Sequence, residues 1–170
     1  MHSQFRNINN LMPLFRGRLP GQLIIQYSNH CNADCPQCGM RCTEQFARSS
    51  LSVEYVKRLL DAAIQRGISM VSFTGGEPFL MLDELLELIT YAGNLGFPYI
   101  RTGTNGYLFR QPSDFNFHSR IARIADRFAA TPLRNLWISV DSAVSEIHER
   151  MRGFPDIIRG IEKALPIFHE

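Results

Sequence analysis

The sequence lacks cysteine everywhere except in one short segment. Four of the 170 residues are cysteine, and all of them lie within 31–42: Cys31, Cys35, Cys38 and Cys42. A disulfide scaffold would spread its cysteines along the chain, and a reducing compartment would keep them as thiols. The clustering therefore predicts metal ligands, and the alternative is a set of incidental buried thiols.

Long hydrophobic runs and blocks of one charge are also missing. No apolar stretch reaches the roughly 18 residues that a transmembrane helix needs, and residues 1–17 have neither the apolar core nor the cleavage site of a signal peptide. We therefore expect a cytoplasmic protein without a membrane partner. The formal net charge of +2 comes without a basic cluster, which argues against nucleic-acid binding.

The sequence has little that suggests hydrolysis. It contains no recognisable Ser-His-Asp order and no paired carboxylates, and it predicts no catalytic side chain. His30 adjoins Cys31, but this position alone does not define a site. The other histidines are expected on the surface, namely His2, His118, His148 and His169. Trp137, the single tryptophan, is expected in the core.

Short apolar runs alternate with helical patterns along the chain. The runs that predict strands are Gln22–Ser28, Ser69–Thr74, Pro98–Thr104 and Asn135–Asp141. Apolar residues at helical spacing predict helices over 51–67, 82–96, 117–129, 145–150 and 155–168. This alternation indicates an α/β fold with parallel strands and right-handed crossovers. We expect an N-terminal extension over 1–21 and a core over 22–170.

Residues that can bind a ligand or a metal follow each predicted strand. The cysteines follow the first strand, the segment TGGEP (74–78) follows the second, Asn105 follows the third, and Asp141 ends the fourth. Ligands of parallel α/β sheets gather at the carboxyl ends of the strands. The four segments therefore predict one binding site at that edge of the sheet.

The cysteine spacing favours an iron–sulfur cluster. Three thiolates at C-x3-C-x2-C can hold three irons of a 4Fe–4S cube and leave the fourth iron open. Cys42 is interpreted as a spare thiol, although it could also close the cluster as a fourth ligand. Zinc is a weaker alternative, because zinc motifs pair C-x2-C units across a longer gap.

The cysteine motif after the first strand, followed by Gly-Gly-Glu-Pro after the second, resembles the radical S-adenosylmethionine (radical SAM) superfamily. The resemblance extends from Gln22 to Phe168. It implies a partial parallel (β/α) barrel of which this chain holds about four of six βα units, as an N-terminal or truncated part with an incomplete SAM site. It also implies a 4Fe–4S cluster on Cys31, Cys35 and Cys38, with SAM on the fourth iron. Reductive cleavage of SAM would give a 5′-deoxyadenosyl radical that abstracts hydrogen from an unidentified substrate, in peptide or cofactor maturation.

The resemblance also assigns residues to SAM. The turn that contains Gly75, Gly76 and Glu77 would accept hydrogen bonds from the methionine ammonium; the alternative is a plain strand-to-helix turn. The other residues that the resemblance places around SAM are Gln37, Asn105, Ser139, Asp141 and Arg152. Gln37 stands where the family usually has an aromatic residue near adenine. The alternative for Asn105 is an ordinary Asn-Gly turn, for Asp141 it is a helix N-cap formed by Asp141 or Ser142, and for Arg152 it is a solvated arginine.

The resemblance implies partners as well. An external electron donor of the flavodoxin or ferredoxin type would reduce the cluster. The uncovered edge of the fourth strand predicts self-association or a covering partner. The competing function is a four-cysteine iron–sulfur module for electron transfer, or a structural metal module, without SAM chemistry.

Overall fold

A computed structural model of the chain describes residues 21–169, so the expected extension over 1–21 lies almost entirely outside the described residues. The strands are β1 (Gln22–Ser28), β2 (Met70–Gly75), β3 (Tyr99–Thr104) and β4 (Asn135–Ile138). The helices are α1 (Val53–Gln65), α2 (Leu82–Asn94), α3 (Phe117–Ala129), α4 (Ser145–Arg152) and α5 (Ile157–Ile167). Two 3-10 turns cover Pro78–Met81 and Tyr107–Phe109.

The four strands form one parallel sheet in the order β1-β2-β3-β4. Each strand is followed by a helix before the next strand begins, which confirms the predicted partial parallel (β/α) barrel. Because all strands run in one direction, their carboxyl ends meet at one edge of the sheet. No helix among residues 21–169 is long and apolar enough to cross a membrane.

One face of the sheet is covered by helices and the other is open. Successive strand residues point to opposite faces, and in β1 the buried Ile25 and Tyr27 alternate with the exposed Ile24 and Gln26. The covered face packs against α1 and α2 in the main hydrophobic core. The opposite face, called the inner face below, carries Ile24 with 62% of its surface exposed.

The helix ends follow the sequence signals. Ser52 accepts a hydrogen bond from the Tyr55 amide at 3.2 Å at the start of α1, as an N-cap serine should. Gly67 (φ 76°) follows the end of α1, and Gly96 (φ 89°) follows the end of α2. Glycine adopts this left-handed conformation without the steric cost that other residues have.

Three expectations about the segment from β4 to α4 are wrong. β4 ends at Ile138 instead of Asp141, because the following residues turn towards α4. His148 is fully buried and not on the surface. Trp137 is half-buried on the inner face and not in the core, because it stands in β4 on the side opposite to the helices, against Gly103.

Helix α5 packs closely against the turn that follows β3. A Cβ atom added at Gly160 of α5 would overlap the carbonyl oxygen of Phe109, a residue of the Tyr107–Phe109 turn. The helix backbone therefore lies directly on this turn. The contact fixes the segment that immediately follows Asn105.

We expect Gly160→Ala to lower the free energy of unfolding by about 1–3 kcal/mol, because the added methyl group overpacks a backbone contact. Urea unfolding followed by circular dichroism measures the change. Gly39→Ala is the matched control, since nothing lies within 4 Å of a Cβ atom at Gly39. Equal stability of the two variants would contradict the contact between α5 and the turn.

Candidate functional site

A cavity of about 160 Å³ lies at the carboxyl edge of the sheet. The residues predicted from the sequence that line it are Cys31, Cys35, Gln37, Cys38, Gly75, Gly76, Glu77, Asn105, Ser139 and Arg152. Asp141 is outside the lining but contacts two of its members, Gln37 and Arg152. The structure therefore brings the predicted iron ligands and the predicted SAM residues together around one space.

The cysteine loop between β1 and α1 is held mainly by hydrogen bonds to its own backbone. The Cys38 amide donates to the Cys35 carbonyl at 3.0 Å, and the Cys42 amide donates to the Ala33 carbonyl at 2.8 Å. These bonds fold the chain around the cavity, so Cys31, Cys35 and Cys38 line it. Cys42 is exposed and does not belong to the lining.

Arg48 organises the rest of this loop, and sequence reasoning missed it. Its guanidinium donates to the carbonyl oxygens of Asn29 at 2.7 Å, Met40 at 2.9 Å and Arg41 at 2.7 Å. Arginine can serve several acceptors at once because it has five N–H donors in a planar fork. The two ends of the cysteine segment are thereby tied to one side chain.

Hydrogen-bond donors are directed at the cysteine sulfurs. The Ala33 amide lies 3.5 Å from Cys31 Sγ, and the Met40 amide lies 3.4 Å from Cys38 Sγ. Such donors stabilise thiolate and cluster sulfur. Burial raises the pKa of the Cys31 and Cys35 thiols, so any iron bound by them would have to displace their protons.

These residues fit a cluster better than a single ion. Among residues 21–169, no group of three or more His, Cys, Asp or Glu side chains is placed to hold one metal ion. In a 4Fe–4S cube each thiolate binds a different iron, so its ligands need not converge on one point. Three cysteines around one cavity, with backbone amides directed at two of their sulfurs, suit that arrangement.

The two glycines after β2 allow close contact with the cysteine loop. A Cβ atom at Gly75 would overlap the Ser28 carbonyl oxygen, and one at Gly76 would overlap the His30 carbonyl oxygen. The Gly76 amide donates to Ser28 and the Glu77 amide donates to His30, both at 2.8 Å. These glycines are therefore required by packing within the protein, in addition to any contact with a ligand.

Glu77 connects the turn after β2 to the turn after β3. It is only 1% exposed, and its Oε1 accepts from the Phe79 amide at 3.0 Å and the Thr104 hydroxyl at 2.8 Å. Its Oε2 accepts from the Asn105 amide at 2.6 Å. Burial raises the pKa of this carboxyl, and the three hydrogen bonds partly counteract that rise. A carboxylate has about four acceptor positions, which leaves room for one donor from the cavity.

Asn105 connects the turn after β3 to the cysteine loop. Its side-chain amide nitrogen donates to Asn32 Oδ1 at 2.9 Å and lies 3.9 Å from Cys31 Sγ. Its own Oδ1 accepts from the Tyr107 amide at 2.9 Å. The residue therefore supports a tight turn and also points a donor towards a cysteine sulfur.

Arg152 reaches the cavity from α4 and pairs with Asp141. Its Nη2 donates to Asp141 Oδ1 at 2.9 Å, and its Nε lies 2.7 Å from Oδ2. Its Nη1 donates to Cys35 Sγ at 3.5 Å. The arginine is therefore not a solvated one. The N-cap position of α4 belongs to Val144, so neither Asp141 nor Ser142 is the helix cap.

His148, which was expected on the surface from the sequence, is a buried neighbour of the cavity residues. It is fully buried, and its Nδ1 accepts a hydrogen bond from the Asp141 amide at 3.1 Å. Its Nε2 has no partner among the described residues. Burial lowers the pKa of the ring, and the positive charge of Arg152 lowers it further, against the opposing effects of Asp141 and Glu149.

We expect His148 to make the stability of the fold depend on pH. The folded pKa is below the ordinary value of 6.5, so the stabilisation is complete above about pH 6.5 and is lost as the pH falls through the folded pKa. His148→Asn should reduce this acid sensitivity and cost about 1–3 kcal/mol at neutral pH.

Urea unfolding between about pH 5 and pH 8 measures both effects of His148→Asn. His169→Gln is the control, because His169 is exposed. An unchanged pH dependence in His148→Asn would show that the buried ring does not titrate in this range.

Comparison with known proteins shows the family of the chain. The family model described as the radical SAM superfamily matches residues 25–168. A GTP 3′,8-cyclase of Vibrio atlanticus (strain LGP32) is 30% identical over 154 residues, which are 87% of this chain and 42% of that protein. An AdoMet-dependent heme synthase of Oleidesulfovibrio alaskensis is 28% identical over 81% of this chain and 33% of its own length. The chain thus spans less than half the length of these relatives.

Solved structures share the fold. SuiB of Streptococcus suis bound to S-adenosylmethionine superposes with a TM-score of 0.64 at 20% identity, over 88% of this chain and 32% of SuiB. Methylornithine synthase (PylB) gives a TM-score of 0.62 at 16% identity, over 87% of this chain and 41% of that protein. Together with the family match, the sheet and its loops show that this chain belongs to the radical SAM superfamily.

Proposed function

We propose that the chain forms the cofactor-binding part of a radical SAM enzyme that acts in the cytoplasm. The family uses a 4Fe–4S cluster and S-adenosylmethionine, as predicted. When bound, the reduced cluster would supply an electron and SAM a sulfonium group, and reductive cleavage of that group would give methionine and a 5′-deoxyadenosyl radical that abstracts hydrogen from the substrate. The observation that carries the proposal is the single cavity shared by the three cysteines and the predicted SAM residues.

Cys31, Cys35 and Cys38 would hold three irons of the cluster. The amides of Ala33 and Met40 donate to two of these sulfurs, and Arg152 donates to the sulfur of Cys35. Each donor stabilises negative charge on sulfur and keeps the side chain oriented. The exposed part of the loop, which includes Pro36 and Gly39, would be accessible to a flavodoxin or ferredoxin that delivers the electron.

The methionine end of SAM would lie against the turn after β2. The remaining acceptor position of Glu77 and the backbone carbonyls at Gly75 and Gly76 can accept from an ammonium group, which needs acceptors only. Arg152 would offer the methionine carboxylate its remaining N–H groups, because three of the five already point to Asp141 and Cys35.

The other groups of SAM would face the loops after β3 and β4. Ser139 and Asp141 would face the ribose, and Asn105 would support the surface between ribose and cluster. Asp141 already pairs with Arg152, which fixes its orientation. Gln37 would contact adenine through its backbone, since its exposed side chain offers no aromatic surface.

The relatives favour a role in cofactor synthesis over peptide maturation. Those with the names GTP 3′,8-cyclase and AdoMet-dependent heme synthase match this chain at 30% and 28% identity. SuiB bound to its precursor peptide shares the fold at 18% identity. Much of the substrate site of such proteins would lie in the part that this chain does not span.

The competing function, a four-cysteine iron–sulfur or metal module, needs Cys42 as a fourth ligand. Cys42 is exposed and is not part of the cavity lining. The fourth iron of a cluster on the other three cysteines would therefore remain open for SAM.

We expect anaerobic reconstitution to load a 4Fe–4S cluster whose reduced EPR spectrum changes when SAM is added. With dithionite, 5′-deoxyadenosine should accumulate above the level without enzyme. Cys35→Ala should reduce the iron content and abolish the product, because one iron loses its protein ligand.

Cys42→Ala is the matched control for Cys35→Ala and should retain the cluster and the SAM-induced spectral change. The opposite pattern, with iron content lost in Cys42→Ala and no response of the wild type to SAM, would support the four-cysteine module.

We further propose that the open edge at β4 supports self-association of the chain. β4 pairs only with β3 among residues 21–169, and unpaired strand edges tend to pair with other chains. Val140, just beyond β4, is 53% exposed.

Light scattering coupled to size exclusion should therefore show a mass that rises with concentration. Val140→Lys should reduce this rise by adding charge at the edge. Leu165→Lys, at a residue on α5 that is 48% exposed, should leave it unchanged. A monomer at all concentrations would rule out the association.

A further inference from the structure

A second cavity adjoins the cofactor cavity on the inner face of the sheet. Its volume is about 260 Å³, and it is lined by Ile24, Ser72, Thr74, Arg101 and Trp137. The strand register places Ile24 beside Ser72 and Ser72 beside Arg101, so these three form one row across β1, β2 and β3. Thr74 and Trp137 line both cavities and therefore form the wall between them.

Arg101 brings an unneutralised positive charge to this cavity. Its Nε donates to Ser72 Oγ at 3.3 Å. With the Gln22 amide oriented so that its oxygen faces the guanidinium, Gln22 accepts from Nη2 at 2.8 Å. Both partners are neutral. Among residues 21–169, the carboxylates that form ion pairs do so with cations other than Arg101.

The hydrogen bonds of Arg101 leave part of its guanidinium available. Gln22 and Ser72 engage the Nε and Nη2 side of the group, whereas Nη1 has no acceptor within residues 21–169. A guanidinium remains charged at all physiological pH values and presents pairs of N–H groups that match carboxylate and phosphate oxygens. The two neutral partners orient the guanidinium but leave its positive charge without a counterion.

Trp137 supplies an aromatic surface next to this charge. The guanidinium carbon of Arg101 lies 5.4 Å from the centre of the indole ring. A Cβ atom at Gly103 would overlap the indole, so the ring can lie against the sheet only because this position is glycine. The pair Gly103 and Trp137 thus creates a flat aromatic wall that reaches from Arg101 to the cofactor cavity.

We propose that Arg101 binds an anionic group of the substrate, a carboxylate or a phosphate, while the adjoining part of the substrate lies on Trp137. In this arrangement the anion anchors one end of the substrate, and the other end extends towards the cofactor cavity. Arg101 and Gly103 are two residues apart on β3, which corresponds to about 7 Å along a strand. A small molecule can span that distance.

This inference rests on the proposed function insofar as it speaks of a substrate, but the anion site itself can be tested without any cofactor. Trp137 is the single tryptophan of the chain, so its fluorescence reports on the two cavities that it separates. The Arg101 variants then show whether a change of emission comes from the second cavity. Arg101 would be a binding residue and not a catalytic one.

The experiment is a fluorescence titration of the 170-residue chain without cluster, with inorganic phosphate and with benzoate as probes at constant ionic strength. We expect a saturable change of Trp137 emission with at least one probe, at probe concentrations up to about 50 mM. Arg101→Gln should weaken that binding by about 10-fold or more, because a charge-assisted pair is lost. Arg101→Lys should bind with intermediate affinity, since lysine keeps the charge but not the fork.

Arg58→Gln is the matched control. Arg58 lies over the ring of Tyr55 at 5.5 Å on the outside of α1, so it is an equivalent cation on an aromatic ring far from the inner face. This variant should bind the probes with the same affinity as the wild type. Circular dichroism confirms that each variant is folded before titration.

Each result decides a different point. Saturation by phosphate alone assigns a phosphorylated substrate, and saturation by benzoate alone assigns a carboxylate. No saturable change with either probe, or equal affinity in Arg101→Gln, overturns the anion site. Because no cluster or SAM is present, this failure is separate from failure of the EPR experiment, which concerns the proposed function.

Discussion

The candidate site depends on one buried carboxylate. Glu77 accepts hydrogen bonds from Phe79, in its own turn, and from Thr104 and Asn105, at the end of β3. Removing a carboxylate from water is costly unless hydrogen bonds replace the lost hydration, and here three donors do so. The same residue also donates its amide to His30 in the cysteine loop. Three separate loops thereby acquire a fixed relation, and the cavity between them is a consequence.

The fold was accessible from the sequence because its signals are local. Short apolar runs and helical patterns located the four strands and five α-helices of residues 21–169, and the bounds of β1 and α3 agree with the prediction. The grouping of the cysteines with Glu77 and Asn105 followed from parallel topology alone, since parallel strands place their carboxyl ends at one edge. No tertiary information was needed for either conclusion.

What the sequence could not show depends on contacts between distant residues. His148 lies in a polar helix whose pattern gives no sign of burial, and it is enclosed because the loop after β4 turns back to place the Asp141 amide on its ring. Trp137 looked like a core residue, but it stands on the side of β4 opposite to the helices, and Gly103 leaves room for its ring there. Arg48 organises the cysteine loop by donating to backbone carbonyls. Every residue has a backbone carbonyl, so no side-chain pattern in the sequence predicts these bonds.

The role of Arg48 has a consequence for how the cluster is assembled. A loop that owed its shape to iron would have to lose its conformational freedom at the moment of metal binding, at about 1–2 kcal/mol per residue. Here a single guanidinium gathers carbonyls from both ends of the cysteine segment, so much of that ordering belongs to the polypeptide itself. For the proposed cluster on Cys31, Cys35 and Cys38, we therefore expect that a cluster lost to oxygen could be rebuilt without refolding of the loop.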